Sequence, residues 1–538
     1  MKEFTPTARS NFDHAHTYRG IPFEVPVAHP STILTHLANR ARENGGDPYL
    51  TTVAADGQSA TLTYGELDVR TRQAAAWLRR ELGVSSEDVV GLLPVNDMTS
   101  VITIFGLLRA GCAVMVLSST DPIGRLREQT AALPVKAIVR PGSLGEEVFP
   151  GSVVAPDLMA LADEAADAND PIITPLADAL FFGTSGSTAA SKLVTQSHYN
   201  AAINADAVRR HHGLAPGDRF LGCLPIHHVN GLHFTILATL ATGSHAILAH
   251  AFDPFGYPRL IERFRPRIAS VVPTILETLV ETWRRPAFPT EFDYFVSAAA
   301  PLTASTVAAV DEKLGARVLQ GYGLTEATNF STTMPAGVLD ELYRRLMLDA
   351  DIPSIGVALH GNEVAVLNSD GQRVRPGEVG EICMRGHNVM TSYAGNDEAT
   401  TDAFQGGWFH SQDLGFEVKD SESGSTFFTV TGRSKNIAKV MGETVSLDEM
   451  DRVLRAVPGV KDAACVCIPD RFLGDEIVAA VVLSPGRQDV DVRAHLSRAF
   501  APALLPRRTV YVAALPRTST GKLRRPQLGK ALASAQDA

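Results

Sequence analysis

Cysteine is scarce in this chain of 538 residues: five, odd in number and scattered, at Cys112, Cys223, Cys383, Cys465 and Cys467. No zinc-type pairing occurs among them, and the scatter points to a reducing, cytoplasmic compartment. Cys465 and Cys467, two apart, would share one face of a strand as small core residues. A basic excess is also lacking. Lys and Arg number 49 against 59 Asp and Glu, a net charge of -10, which argues against a general nucleic-acid binder. A local cluster such as Arg524-Arg525 stays compatible with a small anionic ligand. Met1-Lys-Glu-Phe-Thr-Pro6 carries early charges and no apolar h-region, so no secretory signal is expected. The most membrane-like window, Val101 to Leu117, contains Arg109 and is split by Gly111. It predicts a helix to Ala110, a turn and a buried strand, not a membrane span. No repeat of about 20–50 residues is evident, which disfavours a solenoid or propeller. The familiar nucleotide loops are missing too. Lys192 follows Ser191 where a Walker A loop needs Gly, and Gly521-Lys522 has Pro516 where the first Gly belongs. No G-x-G-x-x-G opens a helix.

What is present is length enough for two or more domains. The first half alternates helical and β-branched runs: helix Leu67 to Leu82, strand Val89 to Leu93, helix Ser100 to Leu108, strand Val114 to Leu117, helix Arg125 to Ala132, then Ala137-Ile-Val. Such alternation predicts parallel sheets covered on both faces. From Ile355 to Met384 short alternating runs flank Asn368-Ser-Asp-Gly371, the signature of a small antiparallel hairpin region. After Arg433 the pattern becomes helix (Leu447 to Ala456), strand (Ala463 to Ile468), strand (Ile477 to Leu483) and helix (Val492 to Phe500). The expected class is therefore α/β: a large N-terminal domain of parallel α/β sheets plus a small β region (1–435), then a small α+β C-terminal domain (436–538). Gly432 to Ile437 is the expected seam, too short and charged for a passive linker.

Four segments carry chemistry. Ala179-Leu-Phe-Phe-Gly-Thr-Ser-Gly-Ser-Thr-Ala-Ala-Ser-Lys192 places hydroxyls, converging backbone N–H groups and a cation after an apolar run, the surface phosphate oxygens need. A Ser- and Thr-rich surface loop is the bland alternative. Gln320-Gly-Tyr-Gly-Leu-Thr-Glu326 offers an aromatic face for a base and a carboxylate for Mg²⁺ beside phosphates, or else a Gly-rich turn with a surface Glu. In Gly407-Trp-Phe-His-Ser-Gln-Asp413 the terminal acid could accept from both ribose hydroxyls, although turn Asp residues are commoner. Pro516-Arg-Thr-Ser-Thr-Gly-Lys522 presents a Lys after a polar loop, in isolation most simply a solvated side chain.

Together and in this order, these segments resemble the adenylate-forming superfamily of acyl-CoA synthetases, adenylation domains and luciferases. The resemblance runs from Thr63-Tyr-Gly-Glu-Leu67 to Lys522. It includes Leu224-Pro-Ile-His-His-Val-Asn-Gly231, Ser297-Ala-Ala-Ala-Pro-Leu302, Gly432-Arg-Ser-Lys435 and Gly474-Asp-Glu476. It implies ATP-dependent activation of a carboxylic acid to an acyl-adenylate with loss of pyrophosphate, then transfer to CoA. Thr184, Ser185, Gly186, Ser187, Thr188 and Lys192 would surround the β/γ-phosphates of ATP. Tyr322, followed by Gly323, would stack on adenine, and the Ala299–Ala300 backbone would line its edge. Thr325 would touch the α-phosphate, Glu326 would bind Mg²⁺, and Asp413 would take the ribose hydroxyls with Arg433 nearby. Lys522 would bridge the acid and the α-phosphate, and Asn436 would be the hinge of the mobile domain.

The same resemblance lines the acid pocket with His228, Val229, Gly231, Leu232, Val272, Ala298, Leu324 and Asn329, with His228 among the catalytic residues. Amino-acid-activating relatives carry an Asp where Val229 stands. An aryl or acyl acid is therefore expected, because an apolar wall would leave an ammonium unpaired. Departures are local: Ala189 and Ser191 replace Gly and Pro, Gln412 replaces the Gly before Asp413, and Met441 replaces a Gly of the pantetheine tunnel. The alternative acceptors are a carrier-protein phosphopantetheine, an amine or another nitrogen nucleophile, diazotase-like chemistry included; a non-catalytic nucleotide-binding member is the reading from another class. Neither nucleic acid nor membrane is expected as a partner.

Overall fold

The computed structural model describes residues 5–161, 171–184, 192–284, 288–441, 443–470, 473–487, 489–518 and 521–534. By its internal contacts the chain forms two units. The first takes residues 1–364, 383–410 and 425–427, and the second takes 365–382, 411–424 and 428–538.

Two large sheets build the first unit. One has nine strands in the order Val357–Ala358, Thr332–Thr333, Arg317–Tyr322, Tyr294–Ser297, Ile268–Val271, Arg219–Gly222, His245–Ala249, Pro48–Val53 and Ser59–Thr63. Its six central strands run parallel, and antiparallel strands close both edges. The other has seven strands, in which Asp178–Gly183, Ala113–Val116, Val89–Leu92, Val135–Arg140 and Val153–Val154 are parallel neighbours. Leu193–Ser197 and Ser392–Tyr393 add to it antiparallel. This is the parallel α/β architecture that the alternation implied. Tyr294–Ser297 and Ile268–Val271 are buried at every position, as strands covered on both faces must be.

Local signals set the helix ends. Thr63 and Glu66 form a reciprocal capping box before Tyr64–Leu82, which stops at Gly83 with φ 59°. Met98–Ala110 starts from the Asp97 cap and ends at Gly111 with φ 89°, and Ala113–Val116 follows as a strand. Every helical residue but Thr99 is buried, including Arg109, which pairs with Asp68. That explains a hydropathy approaching a membrane span. No helix among the described residues is long and apolar enough to cross a membrane. Asn368 makes the expected turn: its side chain accepts from Asp370 N and Gln372 N, and Leu367 bridges Arg373.

The second unit contains a five-stranded sheet. Val460–Asp470 and Gly474–Leu483 pair antiparallel along their length, Ile437–Val440 and Glu443–Ser446 extend one side, and Arg508–Tyr511 joins in parallel. Helix Leu447–Arg455 packs on Val460–Asp470. Cys465 and Cys467 do share one face, packing into the same apolar cluster. One expectation needs correction: the helix over Val492 to Phe500 ends at Leu496. Ser497 turns its hydroxyl back onto Ala494 O, a local bond that competes with helix continuation.

Candidate active site

In open parallel sheets, ligands bind outside the carboxyl ends of the strands, where loops are free to carry chemistry. Arg219–Gly222, Ile268–Val271, Tyr294–Ser297 and Arg317–Tyr322 are contiguous in the nine-stranded sheet. The residues at or just past their carboxyl ends are Leu224 to Gly231, Val272, Ala298 to Ala300, and Tyr322 to Glu326. Most of the expected acid and adenine contacts therefore gather at one sheet edge, from four separate stretches of sequence.

Close backbone packing dictates two of the glycines there. A Cβ on Gly231 would meet Pro225 O at 2.3 Å, and one on Gly323 would fall 1.6 Å from Asn329 O. Asn230–Leu237 winds as a π-helix, a geometry frequent at functional sites and carrying no sequence signature. His228 and Val229 precede it, half-buried, and the rings of His227 and His228 lie 4.4 Å apart. Burial lowers His227 to about 4, so it is neutral. The hydroxyl of Ser118 lies 3.3 Å from its Nε2. Asn329 is buried, with its side-chain Nδ2 unpartnered. Ala299 has φ 70°, a backbone that L side chains rarely adopt.

The Thr325–Glu326 turn is held from behind. Gln196 Nε2 donates to Thr325 O at 2.9 Å and to Thr328 O at 3.3 Å. Those bonds direct its Oε1 to His233 Nε2 at 2.8 Å, so His233 carries its proton on Nε2. Burial pushes His233 down to about 3, and its Nδ1 has no partner. Neither Gln196 nor His233 was picked out from the sequence, because a buried amide and imidazole have no pattern of their own.

Thr184 N donates to Lys192 O at 2.8 Å, and Gly183 stands opposite Leu193. The hydroxyl-rich stretch thus connects two antiparallel strands. Arg125 fixes one end by donating to Thr184 O at 2.7 Å. Ser185, Gly186, Ser187 and Thr188, with Ala189 and Ser191, lie outside the described residues. Lys192 Nζ sits 4.5 Å from the centre of the Tyr393 ring, and Tyr393 donates its hydroxyl to Glu326 Oε1 at 2.9 Å. One buried tyrosine that sequence reasoning missed therefore joins the expected phosphate-loop cation to the expected metal carboxylate. Glu326 is a hard oxygen donor, the kind Mg²⁺ takes singly alongside phosphates and water, so the residue fits that ion.

In the second unit, buried Asp413 pairs with Arg433 Nε at 2.7 Å. Gln412 has φ 62° and Met441 has φ 53°, so both departures from Gly keep the backbone that Gly would adopt. Lys522 stands at the base of a tight loop. Its N donates to Thr518 Oγ1 at 3.0 Å, its O accepts from Thr518 N at 2.8 Å, and Arg517 bridges Leu523. Arg525 is committed inward, to Asp448 at 2.6 Å and Asp451 at 2.8 Å. As a free cation for an anionic ligand it is therefore withdrawn. Asp448 also accepts from Arg433 N at 2.9 Å and from Asn436 Nδ2 at 3.1 Å. One carboxylate thus touches both the expected hinge segment and the helix behind Lys522.

The family model described as AMP-binding enzyme matches residues 37–394, and that of the AMP-binding enzyme C-terminal domain matches 449–522. The chain belongs to the AMP-binding, adenylate-forming enzymes. It is 34% identical over 386 residues to a sulfoacetate–CoA ligase of Cupriavidus necator, across 70% of this chain and 73% of that one. Against a feruloyl-CoA synthase of Amycolatopsis the identity is 30%, over 88% of this chain and 94% of the relative. The fold matches that of o-succinylbenzoate CoA synthetase from Bacillus subtilis in complex with its acyl-adenylate. There the TM-score is 0.80 at 25% identity, over 92% of this chain and 97% of that one. This adenylate-forming enzyme is an ATP-dependent, AMP-forming acid–CoA ligase.

Proposed function

We propose that the ligase activates an aryl or acyl carboxylic acid without an α-ammonium, in a cytoplasmic setting suited to its five cysteines, none of them in a disulfide. The observation that carries the reading is the convergence of Lys192 and Glu326 on Tyr393, close to the sheet edge that gathers the acid and adenine residues. A cation and a carboxylate kept at one site, yet not in contact, suit a metal-bearing triphosphate.

Thr184, Ser185, Gly186, Ser187, Thr188 and Lys192 hold the β/γ-phosphates. Tyr322 and Gly323 take the adenine face, and Ala299 and Ala300 its edge. Asp413, paired with Arg433, accepts from the ribose hydroxyls. His228, Val229, Gly231, Leu232, Val272, Ala298, Leu324 and Asn329 receive the acid. A carboxylate oxygen of the acid attacks the α-phosphorus, the bond to the β-phosphate oxygen breaks, and pyrophosphate leaves. Thr325 and Lys522 stabilise the charge that builds on the α-phosphate, fixed donors costing no reorganisation at the moment of reaction. Bound at Glu326, Mg²⁺ supplies charge neutralisation of the phosphates. The CoA thiol then attacks the acyl carbon and AMP departs. Residues 436–538 act as the mobile domain, with Asn436 the hinge that lets it serve both half-reactions.

ATP–pyrophosphate exchange with a panel of aryl, acyl and α-amino acids tests this. Exchange driven by aryl or acyl acids is expected. Exchange driven only by α-amino acids would overturn the acid assignment. A loaded carrier protein in parallel with CoA shows whether a protein-bound pantetheine is also accepted.

A further inference from the structure

We propose that Tyr393 is a positioning residue for adenylation, its hydroxyl orienting the Glu326 carboxylate for the metal and its ring orienting Lys192 for the phosphates. The inference rests on the metal role assigned above to Glu326.

Tyr393 is itself immobilised. It is 6% exposed. Its backbone N donates to Thr400 Oγ1 at 3.0 Å, and the residue stands opposite Val194 in the seven-stranded sheet. On either side, Met390 N donates to Glu326 O at 2.7 Å and Ala394 N donates to Leu193 O at 2.7 Å. A segment of five residues thus fixes the backbone next to Lys192, the backbone of Glu326 and the tyrosine that reaches both side chains.

The two arms act differently. The Tyr393 hydroxyl carries a single proton and lies 2.9 Å from the Glu326 carboxylate. Its one proton goes to Glu326 Oε1, and no described residue engages Oε2. A carboxylate held by one oxygen presents the other to a cation in a fixed plane, and outer partners of this kind tune metal affinity. The ring instead holds an ammonium by its quadrupole, which restrains the long, exposed Lys192 side chain without consuming its charge.

Calorimetric titration of ATP into the full-length enzyme, without acid, at a series of Mg²⁺ concentrations and with chelator, separates the arms. Tyr393→Phe keeps the ring. It is expected to bind metal-free ATP as wild type does, while needing about tenfold more Mg²⁺ for half-maximal enhancement. Tyr393→Leu should show the same Mg²⁺ shift and also weaken metal-free ATP binding about threefold. Glu326→Gln reports on the underlying assignment. If it shifts the Mg²⁺ midpoint and Tyr393→Phe does not, Tyr393 has no positioning role and the metal assignment stands. If Glu326→Gln itself leaves the midpoint unchanged, the metal assignment falls, and the proposal with it. A purely structural tyrosine would lower the melting temperature without moving that midpoint.

Discussion

Asn436 donates its side-chain amide to both carboxylate oxygens of Asp448, each at 3.1 Å. The family resemblance implies Asp or another polar residue at this expected hinge position, and here Asp448 explains why an amide suits it. Two carboxylates at that separation repel, and one would have to take up a proton. Asn436→Asp is therefore expected to destabilise the second unit by about 1–2 kcal/mol. The exchanged pair, Asn436→Asp with Asp448→Asn, should recover part of that loss, because the reversed amide–carboxylate bond returns while the ion pair of Asp448 with Arg525 does not. Urea unfolding of the four members of the cycle measures it. Additive losses would show that the contact is incidental.

Lys522→Ala is expected to lose about 3–4 kcal/mol of transition-state stabilisation, a hundredfold or more in rate. ATP affinity should stay close to wild type, since the phosphate loop and Asp413 are untouched. Rapid-quench measurement of pyrophosphate release, beside calorimetric ATP binding, separates the two. Wild-type release would remove Lys522 from the chemistry.

Acid should destabilise the first unit. Burial lowers His36, His198 and His227 to about 4 and His233 to about 3, whereas the unfolded chain titrates near 6.5. Between those values the unfolded state binds more protons, so stability rises with pH. The contribution is complete above about 6.5 and is lost as pH falls towards about 4. Melting temperatures measured from about pH 5 to 7.5 should rise with pH, and His233→Gln should flatten the slope. A wild-type melting temperature independent of pH would contradict the neutral, buried imidazoles.

Gln412 and Met441 hold left-handed backbone without being glycine. That conformation costs an L residue about 1–2 kcal/mol, and glycine's own entropic cost offsets about half of it. Gln412→Gly and Met441→Gly should each stabilise the protein by about 0.5–1 kcal/mol. The Met441 side chain is 68% exposed. Its removal should lower the KM for CoA while leaving pyrophosphate exchange alone. An unchanged KM would show that Met441 does not crowd the thiol's path.

The parallel sheets were legible because buried strands and amphipathic helices write themselves into periodicity: Val89–Leu92, Ala113–Val116 and the break at Gly111 lie where the pattern puts them, while the caps Thr63 and Asp97 start their helices a few residues earlier than expected. The site was legible only through ordered short motifs. Tyr393 lies 67 positions from Glu326 in the chain, and no local rule links a tyrosine in Thr391-Ser-Tyr393 to a carboxylate in another loop. Gln196 and His233 were hidden for the same reason, and the π-helix over Asn230–Leu237 has no distinctive spacing. Arg525 misled in the opposite sense. A doubled arginine looks like an anion site, but its charge is consumed by Asp448 and Asp451.

The central claim is that this ligase makes an acyl-adenylate and passes the acyl group to CoA. Mass spectrometry of a panel of acids incubated with enzyme, ATP and Mg²⁺, with and without CoA, tests it most directly, scoring AMP esters and thioesters separately. The account predicts an AMP ester from an aryl or acyl acid without CoA, converted to the thioester when CoA is added. An adenylate that persists in the presence of CoA, with no thioester formed, would contradict it.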